Sequence, residues 1–361
     1  MSRKFRQDTL FVSPKKRSSV PLIMLILLLL VLTIGGVYNI LLNSHVLTEN
    51  VSITVPNLPS RLEGYRILVM SDLHGQFFGP DQAYLKSAVE GQNYNIIIVN
   101  GDLCDRRGSP RALIRLMNQL PENTTTLFIP GDEDPAPIVT DAHVTAGCKA
   151  DYVRQLEDAG AVFLDAPYAV TVGASVIWFC PESVYTLDLD SLERTAQRRL
   201  EELAEEPWSA QTESYREAAE YQLDRCRRIR EAQKVMKAGD IHIAVAHVPL
   251  TESSLRDLRD LAAESIYMDG ISLVIAGHYN AGQWRLPGAG AVFLPESFPL
   301  RATGFFPSDT GLVGTQSVNG ITQFISSGLG ASQAYPAPIS AFRLFNEPRI
   351  SVIRLTRTLQ K

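Results

Sequence analysis

The chain is built on short apolar runs, four to six residues long, that each stop abruptly at a polar or glycine-containing motif. Residues 66–70, 94–99, 125–129, 241–246 and 271–276 are apolar, rich in β-branched side chains and too short for helices. Each reads as a buried strand. Residues 161–164 and 175–180 continue the series, and helical stretches at 81–90 and 111–120 lie between the first three strands. Strands alternating with helices predict βαβ units and a largely parallel sheet, an α/β fold. A short extended segment, 51–59, leads in. The C-terminal part is β-rich, with strands expected at 291–294, 323–326 and 349–355 between Gly- and Pro-rich loops.

Two stretches break this rhythm. Residues 20–42 hold 23 positions without a charge and include four consecutive leucines. About 20 apolar residues span a bilayer core as a helix. A cleavable signal would carry an apolar region of about 7–15 residues ending in a small-x-small site. This run is longer and residues 39–43 offer no such site, so an uncleaved single-pass transmembrane anchor is expected. Residues 1–19 carry six basic side chains and one acidic, and no Lys or Arg follows the span before Arg61. The positive-inside rule then makes 1–19 a basic cytoplasmic tail and places 43–361 outside the cell membrane.

The second stretch is about 188–238, where 12 acidic and 10 basic residues crowd and β-branched residues are few. Leu189, Leu192, Ala196, Leu200 and Leu203 recur at helical spacing, as do Tyr215, Ala219, Leu223, Cys226 and Ile229. The pattern predicts a helical hairpin inserted between strands, with one face on the domain. It reads as a solvated surface insert, a lid or a membrane-facing arm.

A hydrophobic content of 45% with 20% charged residues is that of a globular protein, and a formal charge of -5 provides no basic surface for nucleic acid. Nucleic acid is therefore not expected as a partner. The cysteines (Cys104, Cys148, Cys180, Cys226) form no C-x-x-C pair, which argues against a zinc finger or a thioredoxin-like motif and favours buried thiols.

Once the strands are aligned, Asp72, His74, Asp102, Asp132, His247 and His278 all fall just past strand ends. In open α/β sheets that edge is where ligands sit. A lone histidine there would pass for a packed core residue; six such side chains at one edge are hard to obtain by accident. Carboxylates mixed with imidazoles suit Mn, Fe or Zn rather than Ca. Asp102, which follows the sharp turn at Gly101, reads as the ligand shared by two divalent ions. Such ions, about 3.5–4 Å apart, activate a bridging water and clamp phosphoryl oxygens.

The motifs Asp72-Leu73-His74, Gly101-Asp102-Leu103-Cys104-Asp105, Gly131-Asp132-Glu133-Asp134, the isolated His247 and Gly277-His278-Tyr279-Asn280 follow one another in that order. Together they resemble the signature of the calcineurin-like metallophosphoesterases: D-x-H, G-D-x-x-D, G-N-H-[ED], H and G-H-x-H. The likeness runs from about residue 51 to 355 apart from the insert. Segments 282–287, 326–330 and 343–348 are similar to the membrane-anchored bacterial phosphodiesterases of that family, some of which cleave a UDP-diacylglucosamine pyrophosphate.

The resemblance implies a metallophosphoesterase-type β-sandwich of two mixed sheets flanked by helices. It implies a first metal ion on Asp72, His74 and Asp102, with Asn280 as a weak further ligand. The second ion falls to Asp102, Asp132, His247 and His278. Asp105 is expected as an acceptor orienting a ligand, and Arg106 and Arg107 as phosphate-binding residues, although two loop arginines also read as ordinary surface charge.

Three positions depart from the family pattern: Asp132 replaces Asn, Glu133 replaces the His thought to protonate the leaving group, and Asn280 replaces His. Asp132 can still ligate, but three carboxylates and a hydroxide bring two dications to neutrality where the family retains a net positive charge. Glu133 reads either as an anion that, beside Asp132 and Asp134, repels phosphate, or, if the clustered carboxylates keep it protonated, as a stand-in acid, with His143 just downstream as a second candidate. The implied function is hydrolysis of a phosphodiester or pyrophosphate by a hydroxide activated between two metals, on a phosphate-ester substrate at or near the bilayer, such as a lipid-linked one. The alternative is a weak or inactive relative that serves as a binding or scaffold module at the cell surface.

Overall fold

The computed structural model describes residues 20–139, 148–264, 270–299, 303–318 and 320–357. The basic tail and His143 lie outside the described residues. The chain divides into two units, Met1–Leu41 and Leu42–Lys361. The apolar stretch of the first forms α1 (Val20–Asn43), whose 24 residues make a helix about 36 Å long. Among the described residues it is the helix long and apolar enough to cross a membrane.

The second unit is organised by two six-stranded sheets. The first, in spatial order, consists of β1 (Leu47–Val55), β16 (Arg349–Arg357), β2 (Arg66–Met70), β3 (Ile96–Asn100), β4 (Thr126–Ile129) and β5 (Ala161–Phe163). The other runs β14 (Gly314–Val318), β15 (Ile321–Ile325), β9 (Leu273–Ala276), β8 (Ile241–Val245), β7 (Ser175–Pro181) and β6 (Tyr168–Val172). β2 to β5 are mutually parallel, as are β7, β8, β9 and β15. Antiparallel pairs at β2–β16, β6–β7 and β14–β15 make both sheets mixed.

Side-chain alternation explains why the central strands read as unbroken apolar runs. Ile67, Val69, Ile96, Ile98, Leu127 and Ile129 turn inward and share one core with Ile177, Phe179, Ile241, Ile243, Leu273 and Ile275 of the opposite sheet. Their neighbours Leu68, Met70, Ile97, Val99 and Phe128 turn outward to α2 (Ala83–Glu90), α3 (Arg111–Met117) and α4 (Asp151–Asp158). A strand covered on both faces has no polar side to show. On the far sheet, Ala244 and Val274 face Leu255 and Leu258 of α8 (Glu252–Glu264). The result is a helix-flanked β-sandwich, the fold class the sequence implies.

The edges carry what the apolar pattern did not reveal. β6 and β14 alternate between half-buried and exposed residues, and β1 begins before the expected extended segment, at Leu47. The expected strand at 291–294 resolves into β11 (Gly290–Ala291) and β12 (Phe293–Leu294), which pair with β10 (Arg285–Leu286) and β13 (Gly304–Phe305) respectively.

After α5 (Ser183–Thr186), the charged insert forms α6 (Leu189–Glu205) and α7 (Ala210–Val235). Ser209 and Thr212 form a reciprocal capping box that starts α7 just after Pro207-Trp208. Leu189, Cys226 and Ile229 pack with Ala166 and Val184. A polar lock complements this contact: Arg228 Nη1 and Nη2 donate to the two Asp165 oxygens at 2.8 and 2.7 Å, and Tyr221 adds its hydroxyl. Arg225 Nε donates to the Asp165 carbonyl at 2.8 Å. Burial would raise the Asp165 pKa, but Arg228 and Tyr221 outweigh it and hold the carboxyl below its ordinary value.

Asp165→Ala should cost roughly 1–2 kcal/mol, an amount discounted because Arg228 is partly exposed. A lowered carboxyl pKa contributes stability that is complete above its unfolded value of about 4 and lost as pH falls through the folded value. The melting-temperature gap between wild type and Asp165→Ala should therefore be full at neutral pH and shrink in acid. Scanning calorimetry across pH measures it.

Candidate metal centre

Five strand ends of the two sheets deliver the candidate ligands: β2 to Asp72 and His74, β3 to Asp102, β4 to Asp132, β8 to His247 and β9 to His278. At each end the chain must stop pairing and turn a polar side chain back across the edge. Asp72, His74, Asp102 and His278 do so with left-handed backbone, at φ of 54, 47, 51 and 71°. Such conformations are uncommon outside glycine and mark strained, functional positions. Two glycines make room. A Cβ on Gly101 would fall 2.0 Å from His247 Nδ1, and one on Gly131 would fall 2.0 Å from Asp102 Oδ1. The strands can deliver their ligands to one place only where their neighbours lack a side chain.

Asp102, Asp132, His247 and His278 bring ligand atoms within 4.8 Å of one another, and Asp72, His74 and Asp102 form a second such group. Asp102 belongs to both. Its Oδ1 accepts the Glu133 N–H at 2.9 Å, which leaves Oδ2 facing both groups, 3.8 Å from His74 Nε2 and 3.2 Å from His247 Nε2. Asp72 divides its oxygens likewise: Oδ1 accepts the His278 N–H at 2.9 Å and Oδ2 is bare. His247 Nδ1 lies 3.1 Å from the Asn100 carbonyl, which turns Nε2 toward the cluster. Asp132 stands at the mouth, its Oδ1 2.9 Å from both His247 Nε2 and His278 Nδ1.

The charges are strongly coupled. Burial, outweighing nearby histidines, raises the Asp72 pKa. It would raise Asp102 and Asp132 too, but His247 beside both, with His74 or His278, holds them below the ordinary carboxylate range. Burial would lower the His247 pKa, yet Asp102 and Asp132 lift it well above its usual value.

Three of the expected site residues have hydrogen-bond partners elsewhere in the fold. Asp105 Oδ1 accepts the N–H groups of Arg107 and Ser109 at 2.8 and 3.0 Å and closes its own turn. Arg106 and Arg107 stand exposed on that turn. Asn280, expected to lend its carbonyl oxygen to the first ion, accepts there from the buried Arg343 at 3.1 Å, and a guanidinium at that oxygen disfavours a second cation. Glu133, a candidate proton donor, has both oxygens engaged as acceptors. Gln333 N–H donates at 2.8 Å and Ala334 N–H at 3.2 Å, alongside the Ser332 hydroxyl. Its Oε2 also lies 3.7 Å from His74 Nδ1, so the carboxylate ties the 332–334 loop to that ring.

Two contributors do not stand out in the sequence. Asp134 accepts from Leu103 and Cys104 N–H at 2.9 and 2.8 Å and from Gly131 N–H at 2.9 Å, so one side chain clamps the loops that carry Asp102 and Asp132. Its place as the last residue of G-N-H-[ED] is the one signal that points to it. Glu182 follows β7 as the ligands follow their strands, and its pKa is raised by burial. With Asp132, His247 and Pro299 it lines a groove of about 420 Å³.

The model of the calcineurin-like phosphoesterase family matches residues 65–280, a span that contains every candidate ligand. No curated protein matches the chain. Among solved structures, phosphopantetheinyl hydrolase (PptH) from Mycobacterium tuberculosis aligns over 74% of this chain and 90% of its own, at 12% identity and a TM-score of 0.35. The family match covers more than half of the chain and ends at the Gly277–Asn280 motif, and the chain belongs to the calcineurin-like phosphoesterase family.

Proposed function

We propose that the chain is a membrane-anchored phosphoesterase that uses two divalent ions to hydrolyse a phosphodiester or pyrophosphate. One observation carries the reading. Asp72 Oδ2, His74 Nε2, Asp102 Oδ2, His247 Nε2 and His278 Nδ1 are buried and meet no donor or acceptor outside the cluster; they face one another and Asp132 Oδ1 in two groups that share Asp102. Buried polar atoms are seldom left unsatisfied, and this donor set fits Mn, Fe or Zn. Bound there, such ions supply acidity to a water and positive charge to a phosphoryl group.

The chain's own residues hold the geometry. Asp102 offers one oxygen to both groups, Asn100 fixes the His247 ring, and Asp134 keeps the two carboxylate-bearing loops in register. Because Glu133 is tethered, a leaving group that departs without a proton, such as a phosphate anion, suits the site better than an alkoxide. That preference supports a pyrophosphate or an activated diester. The apolar helix α1 supports anchoring in the cell membrane with residues 1–19 cytoplasmic and the domain outside, and so a substrate near the bilayer, such as a lipid-linked one. A second reading, a binding module without turnover, is favoured by Glu133 and Asn280 both being engaged within the fold.

The two groups are unequal: four ligands against three, with Asn280 withheld. Elemental analysis of the detergent-solubilised full chain should find about one ion per chain after dialysis, and a second only in excess manganese. Asn280→His should bring the dialysed value toward two. Asp102→Ala should lower turnover of bis(4-nitrophenyl) phosphate on the order of a thousandfold or more, since it removes the ligand common to both groups. Folded, metal-replete wild type without turnover would instead establish the binding module.

A further inference from the structure

A second cavity meets the metal groove. It is a partly open space of about 240 Å³ between the end of β4, the end of β7 and α7. Pro130 and Glu182 line both spaces, so the cavity opens off the wall that carries Asp132 and His247. Ile138, Phe163 and Leu164 give it an apolar interior. Its polar lining comes from Asp165, Glu182, Ser183, Tyr221, Gln222 and Arg225.

These features differ from packing faults. Apolar side chains left facing a space of this size forgo contacts that closer packing would give them. Here α7 cannot settle inward, because Asp165 holds Arg225 and Arg228 on either side of one helical turn and fixes the distance of that wall. Ligand pockets have this composition: mostly apolar walls with a few placed polar groups.

We propose that this cavity is the substrate subsite for the organic group attached to phosphorus, and that it selects a compact, largely apolar group. At about 30 Å³ of liquid volume per water, the space equals roughly eight waters, enough for one ring or a short acyl segment. The inserted hairpin is then the specificity wall of the site. The inference rests on the metal centre binding phosphoryl groups, and its test separates the two.

The test uses the manganese-loaded full chain in detergent and two non-hydrolysable probes, methylphosphonate and phenylphosphonate, titrated by calorimetry. Wild type should bind the phenyl compound at least about tenfold more tightly, as burial of an apolar ring predicts. Gln222→Trp and Ser183→Phe plug the cavity from opposite walls, and each should reduce the preference to twofold or less; unchanged melting temperatures exclude a folding defect. Equal affinities in wild type, or a preference that survives both plugs, would overturn the subsite and leave phosphoryl binding standing. If neither phosphonate binds to metal-loaded protein, the phosphoryl-binding reading falls and the subsite falls with it.

Discussion

The centre depends on how the fold divides the two oxygens of each buried carboxylate. Asp72 and Asp102 each give Oδ1 to a backbone N–H from a different strand end and keep Oδ2 bare. The bonded oxygen sets the direction of the carboxylate; the bare one makes the site. Since the Asp102 donor is Glu133 N and the Asp72 donor is His278 N, each half of the cluster is aimed by a loop that also carries a candidate ligand or its neighbour. Burial makes the arrangement consequential, because an unpaired charge in the interior is expensive and a cation between the bare oxygens offsets that cost.

The sandwich supplies the rigidity that this requires. Four of the ligands sit in left-handed backbone, and positions of that kind cost of order 1–3 kcal/mol each. The inner core, where residues of both sheets interdigitate, fixes the strand ends that impose those turns. Asp134 then ties two of the loops together through three backbone N–H groups. Strain, glycine clearance and the clamp are parts of one device: parallel strands bring side chains to a common edge, and the loops prevent them from relaxing away from it.

Much of this is legible in the amino-acid sequence. Central strands covered on both faces appear as apolar runs, and a carboxylate or imidazole at the end of several such runs marks the edge at which they meet; Asp72, Asp102, His247 and His278 stand out in that way. The edge strands β6 and β14 do not, because half of their residues face solvent and dilute the pattern. The partners of Glu133, Asn280 and Asp105 are hidden for another reason. Each is fixed by a hydrogen bond, and for Glu133 and Asn280 that partner lies 199 and 63 residues away. Side-chain identity constrains what a residue can do; only packing decides which partner it meets.

The departures from the family pattern therefore act through the scaffold as well as through the chemistry. Glu133 joins the C-terminal loop to His74, and Arg343 places a permanent buried charge behind Asn280, where burial lowers its pKa to about 10. The proposed mechanism turns on one oxygen of Asp102 being shared by two cations. Anomalous diffraction at the manganese edge, from crystals grown in excess Mn(II), observes that sharing itself. Two peaks about 3.5–4 Å apart flanking Asp102 Oδ2 are predicted; no peak within the cluster, or density bound only through Asp102 Oδ1, would contradict it.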